Sequence, residues 1–203
     1  GDSNIDITTS GQATIRTVTG IGADGDSLET QIGVLDAFNS GVGDINISNT
    51  AAMSVVQLRQ DSADQSISLS AVGALTIADN GSTAPTVQVS GTGTIDLLST
   101  GASSELIFSS DIQAETGSIT LSADRMAIDS NVIGSGDLTV QSVAVDGSIG
   151  LGDGAAGLLQ LDQAELNNLA DGFNSLTFGR ADGSHLLTLG QAGGTVTFGD
   201  AVN

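Results

Sequence analysis

One short phrase recurs along this chain: a small residue, then an apolar–any–apolar triplet, as in Gly-Ser-Ile-Thr-Leu at Gly117–Leu121. The first apolar residue of the triplet recurs at a mean step of roughly 20 residues, a length typical of solenoid repeats. Since alternate residues of a strand point to opposite faces, each copy predicts a short strand with one buried face. The first apolar residues of successive copies are Leu75, Ile95, Ile119, Leu138, Leu158, Leu176 and Val196.

Two all-β architectures use short strands of this kind. In an antiparallel sandwich a strand pairs with its sequence neighbour through a hairpin, whereas in a parallel β-helix it pairs with the strand one coil later. The repeat step favours the second, because it matches one strand–turn–strand–turn coil. We therefore predict a single parallel β-solenoid over residues 1–203, with about ten rungs and a length of ~50 Å at the spacing of paired strands.

Two segments are less regular. A short helical corner is predicted near 162–171, because Asp162 can cap its first turn, Glu165 can complete a capping box and Gly172 can stop it after about two turns. The leucines of this helix are expected to pack onto the rod. The segment Leu28–Phe38 fits both a strand and a helix, and its alternation favours a strand.

Composition limits the partners. The apolar residues are small, with no Trp, Tyr or Cys, which suits a thin core and excludes a disulfide framework. The net charge is −20, from four Arg, no Lys and 24 acidic residues. Nucleic acids and anionic membranes bind cationic surfaces, so neither is expected as a partner. An acidic coat keeps a strand-rich protein soluble and opposes aggregation through strand edges.

Several segments resemble the repeat arrays of filamentous-haemagglutinin-like exoproteins, which are large bacterial adhesins exported through an outer-membrane partner. The segments are Asn39–Thr50, Gly117–Asp124, Ser148–Gly152 and, most distinctively, Ala164–Gly183. The resemblance implies a right-handed parallel β-helix displayed outside the cell, with no catalytic residues. On this basis we expect an internal shaft segment of a longer array, a structural spacer and adhesion surface. Its expected partners are neighbouring repeats, a surface receptor and further copies packed end to end.

A histidine-based site is the first chemical alternative. His185 is the only histidine and lies beside Asp182 and Ser184. A base, an orienting carboxylate and a hydroxyl nucleophile are the parts of a catalytic triad. Polar residues in a turn-rich loop serve solvation more often, so a plain loop is favoured. Likewise Thr92 and Thr94 suggest an ice-binding threonine ladder, although outward threonine is ordinary on strands.

A carbohydrate-active enzyme is the second alternative, since parallel β-helices also serve as polysaccharide lyases and glycoside hydrolases. Hydrolases need two carboxylates that flank the sugar, and Asp61 with Asp64, or Asp124 with Asp129, could supply them. Lyases acting on uronates need cations, and sugar clefts usually recruit aromatic side chains. Because Arg is scarce and Lys, Trp and Tyr are absent, we predict no enzyme and no catalytic residue.

Calcium is the third alternative. Asp24, Gly25, Asp26 and Glu29 offer oxygen atoms of the kind that bind Ca²⁺. The segment lacks the alternating ligands and terminal Glu of an EF-hand loop, and it lacks the nonapeptide repeats of calcium-binding β-rolls. A solvated turn is therefore favoured and no cofactor is predicted, with a calcium-stabilised adhesive module as a secondary hypothesis.

Overall fold

The computed structural model describes residues 4–23, 25–102, 104–190 and 194–203. Within these ranges the chain forms short strands joined by tight corners and one helix, α1 (Gln163–Asn167). The strands are β1 (Ile7–Thr17), β2 (Leu28–Asn39), β3 (Ile45–Asn49), β4 (Met53–Gln60), β5 (Ile67–Val72), β6 (Leu75–Ile77), β7 (Val87–Val89), β8 (Ile95–Thr100), β9 (Leu106–Phe108), β10 (Ile112–Ala114), β11 (Ile119–Ser122), β12 (Met126–Ile128), β13 (Val132–Ile133), β14 (Asp137–Gln141), β15 (Ile149–Leu151), β16 (Leu159–Leu161), β17 (Ser175–Phe178) and β18 (Leu187–Leu189).

The strands stack in three ladders whose members recur once per coil. Ladder A consists of β3, β5, β8, β11, β14 and β17; ladder B of the first half of β4 with β6, β9 and β12; ladder C of the second half of β4 with β7, β10 and β13. All of the registered strand pairs in the described part of the chain are parallel. This confirms the parallel β-helix and excludes the hairpin sandwich.

The first two strands are longer than the others. Strand β2 pairs with β1 along nearly its whole length on one side and with β3 and then β4 on the other. Strands β1 and β2 therefore each run past the positions of more than one ladder without an intervening turn. The ambiguous segment Leu28–Phe38 lies within β2, so the prediction of a strand is confirmed.

A single apolar core lies inside the ladders. Successive strands pair in register, so that the first inward residue of each rung contacts its equivalent one rung away. Burying one such side chain stabilises the fold by about 1.5–3 kcal/mol, and the stack repeats this gain at every rung. The stacked residues of ladder A, none more than 2 % exposed, are Ile45, Ile67, Ile95, Ile119, Leu138 and Leu176.

Glycine is required in the recurring phrase for a steric reason. A Cβ added at Gly117 would overlap the carbonyl of Gly93 in the rung before, and a Cβ at Gly136 would overlap that of Gly117. Each glycine lies two residues before the first inward residue of its rung. The small residue of the phrase is therefore the point where successive rungs approach most closely.

The step between rungs is longer than roughly 20 residues on average, so the described chain holds fewer than the expected ten or so rungs. The step from Leu138 to Leu176 is twice that from Ile119 to Leu138, because β15, β16 and α1 intervene. The interpretation of Leu158 and Val196 as rung starts is wrong. Leu158 is 46 % exposed, and Val196 lies outside the strands.

Three of the late strands form a separate small sheet in the order β16-β15-β18. Leu75 is also reassigned, because it begins β6 in ladder B rather than a rung of ladder A. The phrase is shared by different ladders, since any short strand with one inward face produces it. Ladder A is instead extended by Val202, which bridges to Leu176.

Helix α1 confirms the predicted corner in position and capping but is shorter. The Asp162 side chain accepts from the amide of Glu165, and the Glu165 side chain accepts from the amide of Asp162, at 2.9 and 2.8 Å. The helix ends at its C-cap Asn168, which has right-handed backbone angles, so Gly172 is not the stop. Leu166 is buried, as expected for the face that packs onto the rod.

The same helix closes the free edge of ladder B. The carboxylate of Glu165 accepts from the amide of Ile128 at 3.2 Å, and the side-chain amide of Asn168 donates to its carbonyl at 2.6 Å. These two side chains supply the hydrogen-bond partners that the backbone of a further rung would otherwise offer to β12. Burial raises the pKa of Glu165, and the amides of Asp162 and Ile128 oppose that rise.

Candidate functional surfaces

Carboxylates at the corners of the coil accept hydrogen bonds from backbone amides across it. An oxygen of Asp44 accepts from the amide of Ser66 at 2.7 Å, and Asp124 accepts from the amides of Val143 and Ala144 at 3.0 and 3.1 Å. An amide left buried without a partner costs about 1–3 kcal/mol. Part of the acidity therefore holds the coil together. Other carboxylates with such bonds are Asp6, Asp64, Asp111, Glu115, Asp153 and Asp200.

These bonds change the acidity of the groups that accept them. The amide and then the hydroxyl of Thr92 donate to Asp64, and both lower the pKa of that carboxyl. The side chains of Asn174 and Ser175 lower the pKa of Asp137 in the same way. Since each bond favours the ionised form, these carboxylates stabilise the fold only while they are charged.

The two carboxylate pairs considered for sugar hydrolysis are divided among different contacts. Asp61 pairs with Arg59, whereas Asp64 binds the amide of Thr92 at the next rung. Asp124 accepts the corner amides described above, and Asp129 follows the end of β12, where its amide donates to the carbonyl of Phe108. Three of these four carboxylates thus already bind donors that position the chain.

The histidine loop follows β17. The ring of His185 packs so closely on Gly179 that a Cβ there would overlap it. The guanidinium of Arg180 donates to both oxygens of Asp182, at 2.9 and 3.0 Å, and these bonds lower the pKa of Asp182. Among the described residues no hydrogen bond joins His185 to Asp182 or to Ser184. The structure therefore does not assemble the three residues into a triad.

The loop considered for calcium borders a groove of about 420 Å³. Asp6, Asp26 and Glu29 line it, and Asp6 accepts from the amide of Glu29 at 3.1 Å. Asp24, one of the predicted oxygen donors, lies outside the described residues. The described part of the chain contains no group of three His, Asp or Glu side chains arranged to hold a metal ion.

Hydroxyl groups cover much of the outer side of ladder A and its corners. The threonine pair noted in the sequence is bound to the previous rung: Thr92 donates to Asp64 at 2.9 Å and Thr94 to the hydroxyl of Ser66 at 3.1 Å. A threonine ladder occurs instead farther along the rod, on three successive strands. Its members are Thr120, Thr139 and Thr177.

Sequence reasoning missed one surface, which we name the outer strip. It consists of Arg16, Phe38, Arg59, Gln88 and Gln113, which stand side by side on five successive strands. A signal was present in the sequence, because the aromatic residue follows one arginine and precedes another by about one coil step. The recurring phrase marks the inward residues of a strand and carries no information about which outward side chains become neighbours.

Comparison with known proteins identifies no relative. No protein family, no curated protein and no solved structure matches this chain. Helices long and apolar enough to cross a membrane are absent from the described residues.

Proposed function

We propose that this chain is a structural segment of the shaft of a secreted or surface-displayed bacterial adhesin. In this role it is a stiff spacer within a longer array and performs no catalysis. The observation that carries the proposal is the register of ladder A, in which six strands stack in parallel over one continuous apolar column. Stretching such a rod along its axis requires the rupture of backbone hydrogen bonds in all three ladders.

Two further features support the proposal. The corner carboxylates bind backbone amides across the coil, so the turns are held as well as the strands. The net charge of −20 opposes association between the sheet edges of neighbouring rods. The resemblance of Ala164–Gly183 to haemagglutinin-like exoproteins supports a place outside the cell, with neighbouring repeats and a surface receptor as partners.

The spacer role is tested by pulling single molecules of the chain between two marker domains of known unfolding force. We expect abrupt cooperative unfolding at forces comparable to those of the marker domains. Gradual extension at low force would contradict the spacer. The variant Leu97→Ala, which removes part of the apolar column, should unfold at lower force and serves as the matched control.

Display and the absence of catalysis need separate measurements. Fab fragments raised against the purified chain should label intact cells that produce the parent protein. Labelling only after lysis would contradict surface display. The release of reducing ends or unsaturated uronates from a panel of polysaccharides would overturn the non-enzymatic part and favour the carbohydrate-active alternative.

A further inference from the structure

The outer strip combines apolar and polar groups on an open face of the rod. Phe38 points outward from β2, is half-buried, and stands between an arginine on each neighbouring strand. An outward aromatic ring is otherwise absent from the described strands of ladders A, B and C up to β14. Aromatic rings offer a rigid apolar surface on which the C–H groups of a ligand can pack.

The two arginines of the strip differ in how many N–H groups they leave available to a ligand. Both terminal nitrogens of Arg16 are engaged, because one donates to the carbonyls of Ile15 and Asp36 and the other donates to both carboxylate oxygens of Asp36 at 2.8 Å. Arg59 pairs with Asp61 only through its Nε. The side chain of Arg59 is 39 % exposed, so both terminal nitrogens are donors open to a ligand.

The amides continue the same column. The Nε2 of Gln88 donates to the Oε1 of Gln113 at 3.2 Å. That bond uses one donor and one acceptor, so the carbonyl oxygen of Gln88, its second N–H and the side-chain amide nitrogen of Gln113 remain for a ligand. Together with the free nitrogens of Arg59, the strip presents both donors and acceptors in a row beside an aromatic ring.

The strip is electrically neutral in a strongly anionic molecule. Asp36 and Asp61 balance Arg16 and Arg59, while the chain as a whole carries −20. An anionic ligand would be repelled by the surroundings, and a cationic ligand would be attracted to the acidic corners instead. Neutral ligands rich in hydroxyl groups therefore match the strip best.

We propose that the outer strip binds a neutral polysaccharide laid along the rod. Successive strip residues are separated by the strand spacing of ~4.8 Å, which is close to the advance of one sugar ring in an extended glycan. One ring would pack on Phe38, the next would receive hydrogen bonds from Arg59, and further rings would bind Gln88 and Gln113. The spacer would then adhere along its side, a role that does not depend on the proposed place in a shaft.

The test is a titration of the chain with neutral hexasaccharides of glucose, mannose and galactose. Isothermal titration calorimetry measures the affinity, and changes in amide chemical shifts locate the site. We expect at least one to bind with Kd in the millimolar range or tighter, about −4 kcal/mol or better. Because no net charge is involved, Kd should change less than about two-fold between ~0.05 and ~0.5 M salt. The shifted amides should cluster on β2, β4, β7 and β10.

Three variants make the outcome specific. Phe38→Ala should weaken binding about ten-fold or more, and Arg59→Gln several-fold, as expected for an aromatic anchor and an open donor. Thr120→Ala, an outward change on ladder A, is the matched control and should leave binding unchanged. Thermal unfolding of each variant checks that the fold persists.

Three results would overturn the proposal. The first is the absence of binding by all three neutral hexasaccharides at ~10 mM. The second is binding that Phe38→Ala and Thr120→Ala weaken equally. The third is binding limited to an acidic hexasaccharide such as oligogalacturonate and abolished by salt. None of these results bears on the pulling experiment, so the strip and the spacer can fail independently.

Discussion

The rod buries its apolar side chains differently in two regions. The regular part is residues 45–141, and the carboxyl-terminal part is residues 142–203. In most strands of the regular part, buried and outward residues alternate. Val72 is its one exposed large apolar residue among those described. In the carboxyl-terminal part the exposed ones are Val145, Leu158, Leu186, Leu187, Leu189 and Val202.

The two parts also fill their interiors differently. The regular part is filled mainly by stacked aliphatic side chains, with one fully buried phenylalanine, Phe108 on β9. In the carboxyl-terminal part Phe173 and Phe178 are nearly buried, and Phe178 packs on Phe198 with ring centroids 5.5 Å apart. The carboxyl-terminal part, although shorter, therefore relies more on aromatic rings than the regular part does.

The largest expected effect tests the burial difference. Leu97→Ala, in the regular stack and 0 % exposed, should lower the free energy of unfolding by about 2–5 kcal/mol through lost transfer energy and a cavity. Leu189→Ala, at a side chain 56 % exposed, should change it by less than ~0.5 kcal/mol. Equilibrium unfolding in urea measures both. Equal losses would show that the late sheet is buried by something beyond these contacts.

The next effect tests the close approach of rungs. Gly117→Ala should destabilise the chain by about 1–3 kcal/mol, because the new methyl group overlaps the backbone of the previous rung. Gly199→Ala is the control in the carboxyl-terminal part, where a Cβ meets only ordinary contacts of 3.5 Å or more. Thermal unfolding of the two variants measures the difference in stability. A harmless Gly117→Ala would mean that the rungs can separate at low energetic cost.

A smaller effect tests how α1 closes ladder B. Asp162→Ala should lower stability by about 1 kcal/mol through loss of the helix cap. Since Glu165 then loses its reciprocal partner, hydrogen exchange at Ile128 should accelerate while that at Ile95 stays slow. Asp162→Asn keeps an acceptor and should restore protection. Acceleration spread evenly along the rod would contradict a local closure.

The smallest effect contrasts two carboxyls in acid. Hydrogen bonds lower the folded pKa of both Asp64 and Asp182 below the ordinary 3.8. Their stabilisation is therefore present above pH ~4 and disappears as the pH falls through the folded pKa. Denaturant unfolding from pH ~2 to ~6 should show a shallower acid loss in Asp64→Asn and Asp182→Asn.

The dependence on salt concentration should differ between these two carboxyls. Asp182 depends on an ion pair with Arg180 at the surface, which salt screens. Asp64 depends on the amide and hydroxyl of Thr92, which are neutral. The effect of Asp182→Asn should therefore vanish near ~0.5 M salt, whereas that of Asp64→Asn should persist. Identical salt responses would contradict this assignment.

Local features of the fold were predictable from the sequence. The alternation at Ile119 and Leu121 predicted a strand, and Asp162 with Glu165 predicted a capped helix, because both patterns depend on residues a few positions apart. The candidate sites were less predictable. His185 and Asp182 are only three positions apart in the sequence, yet Asp182 is bound by Arg180, because the partner depends on the direction of side chains in a loop.

The sequence alone determined that this chain makes short one-faced strands, needs glycine beside them and carries too little bulk for a wide core. Tertiary structure alone decided which strands stack. The phrase at Gly157–Leu161 matches that at Gly117–Leu121, with buried Leu159 as its first apolar residue, yet its strand β16 pairs with β15 in the small sheet and does not join ladder A. It also decided that Phe38 lies between two arginines in the outer strip. Such neighbours lie one coil apart, and the loops that set the coil length leave no local signature.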